Sequence, residues 1–120
     1  MRASGPILVV DDEQTVRDIV VMTLLLEGYS VREAADGAEA LRMIEDARPS
    51  LVLLDMQLPV LDGWGVAREL RAKELDPPIV VMTAGHDAQL AATEIGAADW
   101  VAKPFELTDL LTTVERCRAA

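Results

Sequence analysis

The sequence predicts an α/β domain, a parallel five-stranded sheet with helices packed on both faces. Three observations carry this. Runs of consecutive apolar residues recur along the chain, and three of them, ILVV at 7–10, LVLL at 51–54 and IVVM at 79–82, are apolar at every position. A strand exposed on one face would alternate, so unbroken runs belong to strands covered on both sides. Stretches of helical periodicity separate the runs, giving the strand–helix rhythm of a doubly wound sheet. Finally, 120 residues with 51% hydrophobic content suit one domain that buries its core without cross-links.

The first strand is Ile7–Val10, ending at Asp11-Asp12. A helix over 13–27 follows, with Val16, Ile19, Val20 and Leu24 on one stripe and Gly28 placed for a left-handed C-cap. Val31–Ala34 forms a weaker second strand. Asp36, with Glu39 three residues on, reads as the N-cap of a second helix running through Leu41 and Ile44. Leu51–Leu54 is the third strand, closed by Asp55. Pro59 and Asp62-Gly63 mark a turn. A third helix spans 63–74, and Pro77-Pro78 prevent its continuation. The fourth strand, 79–82, ends at Thr83, and its helix, Asp87–Ile95, stops at Gly96. The fifth strand covers 99–102, just before Lys103-Pro104. The last helix, 106–117, has the most regular stripe: Leu107, Leu110, Leu111, Val114 and Cys117. No repeat, linker or charge block divides the chain, so the expectation is a single domain over 1–120 with its core at about 7–117.

Composition removes several classes of function. One cysteine, Cys117, rules out a disulfide framework, and with the one histidine, His86, it cannot furnish a usual zinc site. Cys117 completes an apolar stripe and reads as packing, Met82 and the other methionines as core filler, and His86 as structural or exposed. Against 11 Lys and Arg stand 21 Asp and Glu, a net charge of −10. That balance argues against nucleic-acid binding by this domain and suits a cationic ligand or partner. The apolar stretch at 20–26 contains Thr23 and stops at Glu27, short of the ~18 residues of a membrane span. The run at 7–10 is too short for a signal-peptide core. A cytoplasmic protein without membrane attachment is the expectation.

In an open α/β sheet, ligands gather beyond the carboxyl ends of the strands, so the residues that close each strand matter most. Here they are Asp11-Asp12, Asp55, Thr83 and Lys103. Three carboxylates, a hydroxyl and an ammonium are thus predicted to converge on one rim. Two unit charges about 4 Å apart repel by roughly 4 kcal/mol at an effective dielectric near 20. Such acids either keep protons or are neutralised by cations. Lys103 supplies one positive charge and a divalent ion would supply the rest; carboxylate, carbonyl and water oxygens are what Mg²⁺ prefers. A carboxylate in that company is competent as a nucleophile toward phosphorus, with the cations stabilising the transferring oxygens. Each residue also has a plainer use. Asp11 or Asp12 alone reads as a helix cap, Asp55 as a loop aspartate, Thr83 as a cap of the fourth helix, and Lys103 as partner of a nearby acid. Their joint register at the strand ends favours the shared site.

The segments VVDDE (9–13), LLDMQLPVLDGWG (53–65), VVMTAG (80–85) and AADWVAKPF (97–105), in this order, resemble the receiver domain of bacterial two-component response regulators. The resemblance runs from about Ile7 to Cys117. It implies the flavodoxin-like strand order 2-1-3-4-5. It also implies that Asp55 accepts a phosphoryl group from the phosphohistidine of a sensor histidine kinase or phosphotransfer protein, as in a phosphorelay. Mg²⁺, with Mn²⁺ as an alternative, would be held by Asp12 and Asp55 directly, by Asp11 through water and by the backbone carbonyl of Gln57. Thr83 would hydrogen-bond the phosphoryl group, Lys103 would pair with it, and the N–H groups of Met56 and Ala84 would complete the cradle. The Lys103-Pro104 bond is expected to be cis.

Trp100 stands where the family usually has Tyr or Phe, a departure to a bulkier ring. The resemblance implies that it swings inward as Thr83 moves. The face of the fourth helix, fifth strand and fifth helix would then change shape for an output domain, a downstream protein or a phosphorylation-dependent homodimer. Gln14, Thr15 and Asp18, with the loop at Pro104-Phe105, match the family's kinase-docking patch. Gln57 and Gly85 match positions that gate the hydrolytic water, and glycine there implies a short-lived aspartyl phosphate. On this reading the chain assists its own phosphorylation and dephosphorylation, is not an enzyme with a separate substrate, and carries no output domain.

Other functions use parts of the pattern. An aspartate-nucleophile phosphohydrolase shares the Asp, Thr, Lys and Mg²⁺ chemistry but carries an Asp-x-Asp after its first strand and a cap insertion; here the acids are adjacent and the connectors short. A receiver-like interaction module that never takes phosphate would be indifferent to Asp55→Asn. A flavodoxin-type cofactor binder would need a Thr/Ser-rich phosphate loop, which is missing, and no GxxxxGK[ST], GxGxxG or GxSxG occurs.

Overall fold

Strands and helices alternate strictly through the computed structural model, which describes residues 5–84 and 87–118. In chain order they are β1 (Ile7–Val10), α1 (Gln14–Leu26), β2 (Val31–Ala34), α2 (Gly37–Asp46), β3 (Leu51–Leu54), α3 (Gly63–Ala72), β4 (Ile79–Ala84), α4 (Asp87–Ile95), β5 (Asp99–Lys103) and α5 (Leu107–Arg118). The sheet order is β2-β1-β3-β4-β5, and every neighbouring pair is parallel. Successive strand side chains point to opposite faces, so each apolar run feeds two cores at once. Ile7, Val9, Leu51, Leu53, Val80 and Met82 meet Val20 and Leu24 of α1 and Leu110 and Val114 of α5. Leu8, Val10, Val52, Leu54 and Val81 meet Ala40 and Ile44 of α2, Val66 and Leu70 of α3, and Ala91 and Ile95 of α4. Cys117 packs against the first of these cores from a half-buried position.

The helix ends follow local chemistry. Asp36 accepts a hydrogen bond from the Glu39 N–H at 2.8 Å, while Glu39 accepts one from the Ala35 N–H at 2.9 Å, a reciprocal cap at the start of α2. Asp62, expected as a turn residue, also caps α3 by accepting from the Gly65 N–H at 2.8 Å. Gly28 follows α1 with φ +89°, the left-handed conformation that a side chain disfavours.

Some boundaries differ from the sequence reading. The ladder pairs Thr83 with Ala102 and Ala84 with Lys103, so β4 and β5 each run past the apolar residues that announce them. α3 ends at Ala72 rather than at 74. Ile19 is 50% exposed, because a helix turns about 100° per residue and Val16, Val20 and Leu24 already define the sheet-facing line. Leu107 is 40% exposed; it opens α5, at the first turn of the helix. The outer strands β2 and β5 carry Arg32, Glu33, Asp99 and Lys103 at the edges of the sheet, which explains the weak apolar signal of β2. Among the described residues no helix is long and apolar enough to cross a membrane.

Candidate functional site

Parallel strands all end at the same rim, and the backbone ladders extend one residue past β1 and β3. The Asp11 N–H donates to the Ala34 carbonyl at 3.2 Å and the Asp55 N–H to the Val10 carbonyl at 3.0 Å. These bonds hold Asp11 and Asp55 beside each other at the carboxyl end of the sheet. Asp11 is fully buried, Asp55 is 4% exposed, and Asp12 faces solvent. One carboxylate oxygen from each of the three lies within 4.8 Å of the other two.

Lys103, delivered by the end of β5, bridges two of these acids. Its Nζ donates to Asp11 Oδ2 at 2.6 Å and to Asp55 Oδ2 at 2.9 Å, and lies 3.9 Å from a Glu13 carboxylate oxygen. Burial by itself would lower the Lys103 pKa. The hydrogen bonds and charges of Asp11 and Asp55 together outweigh burial, so the ammonium is held above its ordinary 10.5. The other oxygens are also engaged: Asp11 Oδ1 accepts from the Glu13 N–H at 2.9 Å, and Asp55 Oδ1 from the Gln57 N–H at 3.1 Å. The capping alternative for Asp11 therefore gives way to a loop role, since the N-cap of α1 is Glu13, without a side-chain cap bond.

The remaining predicted positions distribute as follows. Thr83 is buried on β4, and Ala84 beside it is exposed. Met56, directly after Asp55, is fully buried, and its carbonyl accepts from the Gly63 N–H at 2.9 Å. The Lys103-Pro104 bond is cis. Gly85, the expected water gate, and His86 lie outside the described residues. Trp100 is 40% exposed and with Phe105 lines a surface groove of about 400 Å³ along β5 and the start of α5. Gln14, Thr15 and Asp18 are exposed on the first turns of α1, Pro104 is exposed and Phe105 half-buried. Gln14 is two residues past Asp12 and Pro104 directly follows Lys103, so both parts of that patch adjoin the rim.

Sequence reading did not single out Arg17, whose guanidinium donates to the Asp11 carbonyl at 2.7 Å and to Glu33 at 3.0 Å. The available signal is a basic residue beside the apolar line of α1, six positions after Asp11. The donor set suits a divalent ion: all ligand atoms are oxygens, and three carboxylates against one ammonium leave an excess of negative charge.

A 2-1-3-4-5 parallel sheet with three acids and a lysine on its carboxyl rim defines a receiver-type signalling domain. The chain belongs to the response regulator receiver domain family, whose family model matches residues 7–115. It is 46% identical over 106 residues to the "probable transcriptional regulator ycf27" of Porphyridium aerugineum, covering 87% of this chain and 44% of that protein. The chain thus spans less than half the length of such curated relatives. The receiver domain of NtrX from Brucella abortus superimposes with a TM-score of 0.84 at 36% identity, covering 92% of this chain and 96% of that one. The receiver domain of the sensor histidine kinase PA1611 from Pseudomonas aeruginosa, with a magnesium ion coordinated in its active-site cleft, gives 0.88 at 34% identity, covering 98% and 100%.

Proposed function

We propose that this receiver domain takes a phosphoryl group on Asp55 from the phosphohistidine of a sensor kinase or phosphotransfer protein. The carrying observation is the shared ammonium: Lys103 holds Asp55 Oδ2 and Asp11 Oδ2 together, with the solvent-facing Asp12 carboxylate within 4.8 Å. In the step, a carboxylate oxygen of Asp55 bonds to phosphorus as the P–N bond breaks, and the departing imidazole keeps the electron pair. The Gln57 N–H and Lys103 fix the orientation of the acceptor carboxylate. Lys103, the Thr83 hydroxyl and the N–H groups of Met56 and Ala84 then receive the phosphoryl oxygens. Asp12, Asp55 and the Gln57 carbonyl, with Asp11 through water, would hold Mg²⁺ or Mn²⁺, which when bound neutralises charge on the transferring oxygens.

The chain acts as a substrate that assists its own modification rather than as an enzyme with a separate one. Phosphorylation draws Thr83 and Trp100 inward and remodels the α4–β5–α5 face for an output domain, a separate effector or a second copy. The kinase docks on Gln14, Thr15, Asp18, Pro104 and Phe105, and the whole operates in the cytoplasm. The relatives named as transcriptional regulators support an output that acts on gene expression.

The test is incubation with acetyl phosphate and Mg²⁺ followed by intact-mass measurement. The expected result is a gain of one phosphoryl group, absent in Asp55→Asn, that accumulates while the donor is present and is lost by hydrolysis to inorganic phosphate once the donor is removed. Steady turnover of the donor with no acyl phosphate would favour a phosphohydrolase, and no modification at all would overturn the reading.

A further inference from the structure

We propose that Arg17 is a positioning residue for the rim, fixing the peptide unit that carries Asp12 and so setting the affinity of the acid triad for a divalent cation. The inference rests on the phosphoacceptor reading and adds to it a residue outside the family motif quoted above.

Among the described residues the Asp12 carboxylate has no hydrogen-bond or ion-pair partner, so the backbone alone fixes the point from which its side chain reaches the rim. That backbone begins at the Asp11–Asp12 peptide. Asp11 is clamped at its N–H by the Ala34 carbonyl, at Oδ1 by the Glu13 N–H and at Oδ2 by Lys103. Its carbonyl, the oxygen of the peptide leading into Asp12, receives the Arg17 guanidinium at 2.7 Å. Arg17 is itself anchored: its Nε donates to Glu33 on β2 at 3.0 Å, and its side chain is only 14% exposed. The planar guanidinium therefore ties α1, β2 and the loop after β1 into one rigid corner. It sits behind the peptide and its charge is paired with Glu33, so its influence on the rim is geometric. Hydrogen bonds that orient ligands from behind are worth about 10–100-fold in metal affinity.

Geometry and charge predict opposite signs. Deleting a cation near three acids would, by charge alone, tighten the binding of another cation; loosening the Asp12 peptide weakens it. Calorimetric titration of the unphosphorylated domain with MgCl₂ separates the two. Arg17→Ala should bind Mg²⁺ about 10-fold more weakly than the unaltered protein, and Arg17→Lys, which keeps one donor for the carbonyl, should fall between them. The Mg²⁺ concentration for half-maximal acetyl phosphate labelling should rise in parallel. Val114→Ala, a truncation in the core under α5, should lower thermal stability without moving Mg²⁺ affinity. Unchanged or tighter binding in a folded Arg17→Ala overturns the inference and leaves the phosphoacceptor reading standing. Failure of the unaltered protein to bind Mg²⁺ overturns that reading and the inference with it. If circular dichroism shows Arg17→Ala unfolded, Arg17→Gln decides by the same measure.

Discussion

Lys103 reaches two buried carboxylates from a side chain only 15% exposed, so its removal leaves Asp11 and Asp55 facing each other with little solvent between them. Breaking a buried pair from one side costs about 3–5 kcal/mol, and Lys103→Met should lose stability of that order in urea denaturation near neutral pH. The alkaline limb gives a second reading. Because the folded pKa of Lys103 lies above its ordinary 10.5, its contribution is fully present below that value and is lost as pH rises through the folded pKa. The stability gap between the unaltered protein and Lys103→Met should therefore narrow only in that alkaline window. Val60 offers a gain instead. It holds φ +69°, and the Leu61 N–H donates back to the Pro59 carbonyl at 2.7 Å, so a β-branched residue sits in a tight left-handed turn. Val60→Gly should raise the melting temperature by the equivalent of about 1 kcal/mol. Asp55, Asp12 and Lys103 are readable from sequence because each closes a strand. Arg17 is not, because its importance depends on which carbonyl it reaches across the fold. Likewise, nothing in the letters around Val60 announces its backbone angle.

Individual elements show where periodicity suffices and where it stops. The cap formed by Asp36 and Glu39 is local, confined to residues 35–39, and the sequence predicts it correctly. Gly37, the next residue, has a reason that is not local. A Cβ there would stand 1.8 Å from the Leu61 carbonyl oxygen, in the loop between β3 and α3. Gly37→Ala should force α2 and that loop apart, costing on the order of 3 kcal/mol in chemical denaturation. Because the same loop begins at Asp55 and Met56, labelling by acetyl phosphate should slow as well. The stripes on α1 and α5 identify the buried lines through Val20, Leu24, Leu110 and Val114 but overreach at Ile19 and Leu107. Hydrophobicity marks a residue as able to be buried, whereas the width of the covering sheet decides whether it is. For the same reason β4 and β5 run longer than their apolar cores: ladder hydrogen bonds continue through Thr83 and Lys103 regardless of side-chain polarity.

At the scale of the molecule, two apolar cores on a parallel sheet follow directly from unbroken runs such as LVLL, and the family motifs supply the strand order that composition alone leaves open. The net charge of −10 and the acid triad lead to a global prediction. A ligand that binds only the folded state stabilises it by about 2.7 kcal/mol at 100 times its dissociation constant. Millimolar Mg²⁺ should therefore raise the melting temperature of this domain in calorimetry more than the same ionic strength of NaCl, and Asp12→Ala should abolish the difference. The bridge from β5 back to β1 and β3 has one more consequence. A single amine near the C-terminal end of the fold staples together acids separated from it by 92 and 48 residues. If the last strand peels away, those acids lose their counter-ion at the same moment. Mechanical integrity and chemical competence are then forfeited together, so a partly opened molecule cannot pass as a charged signal.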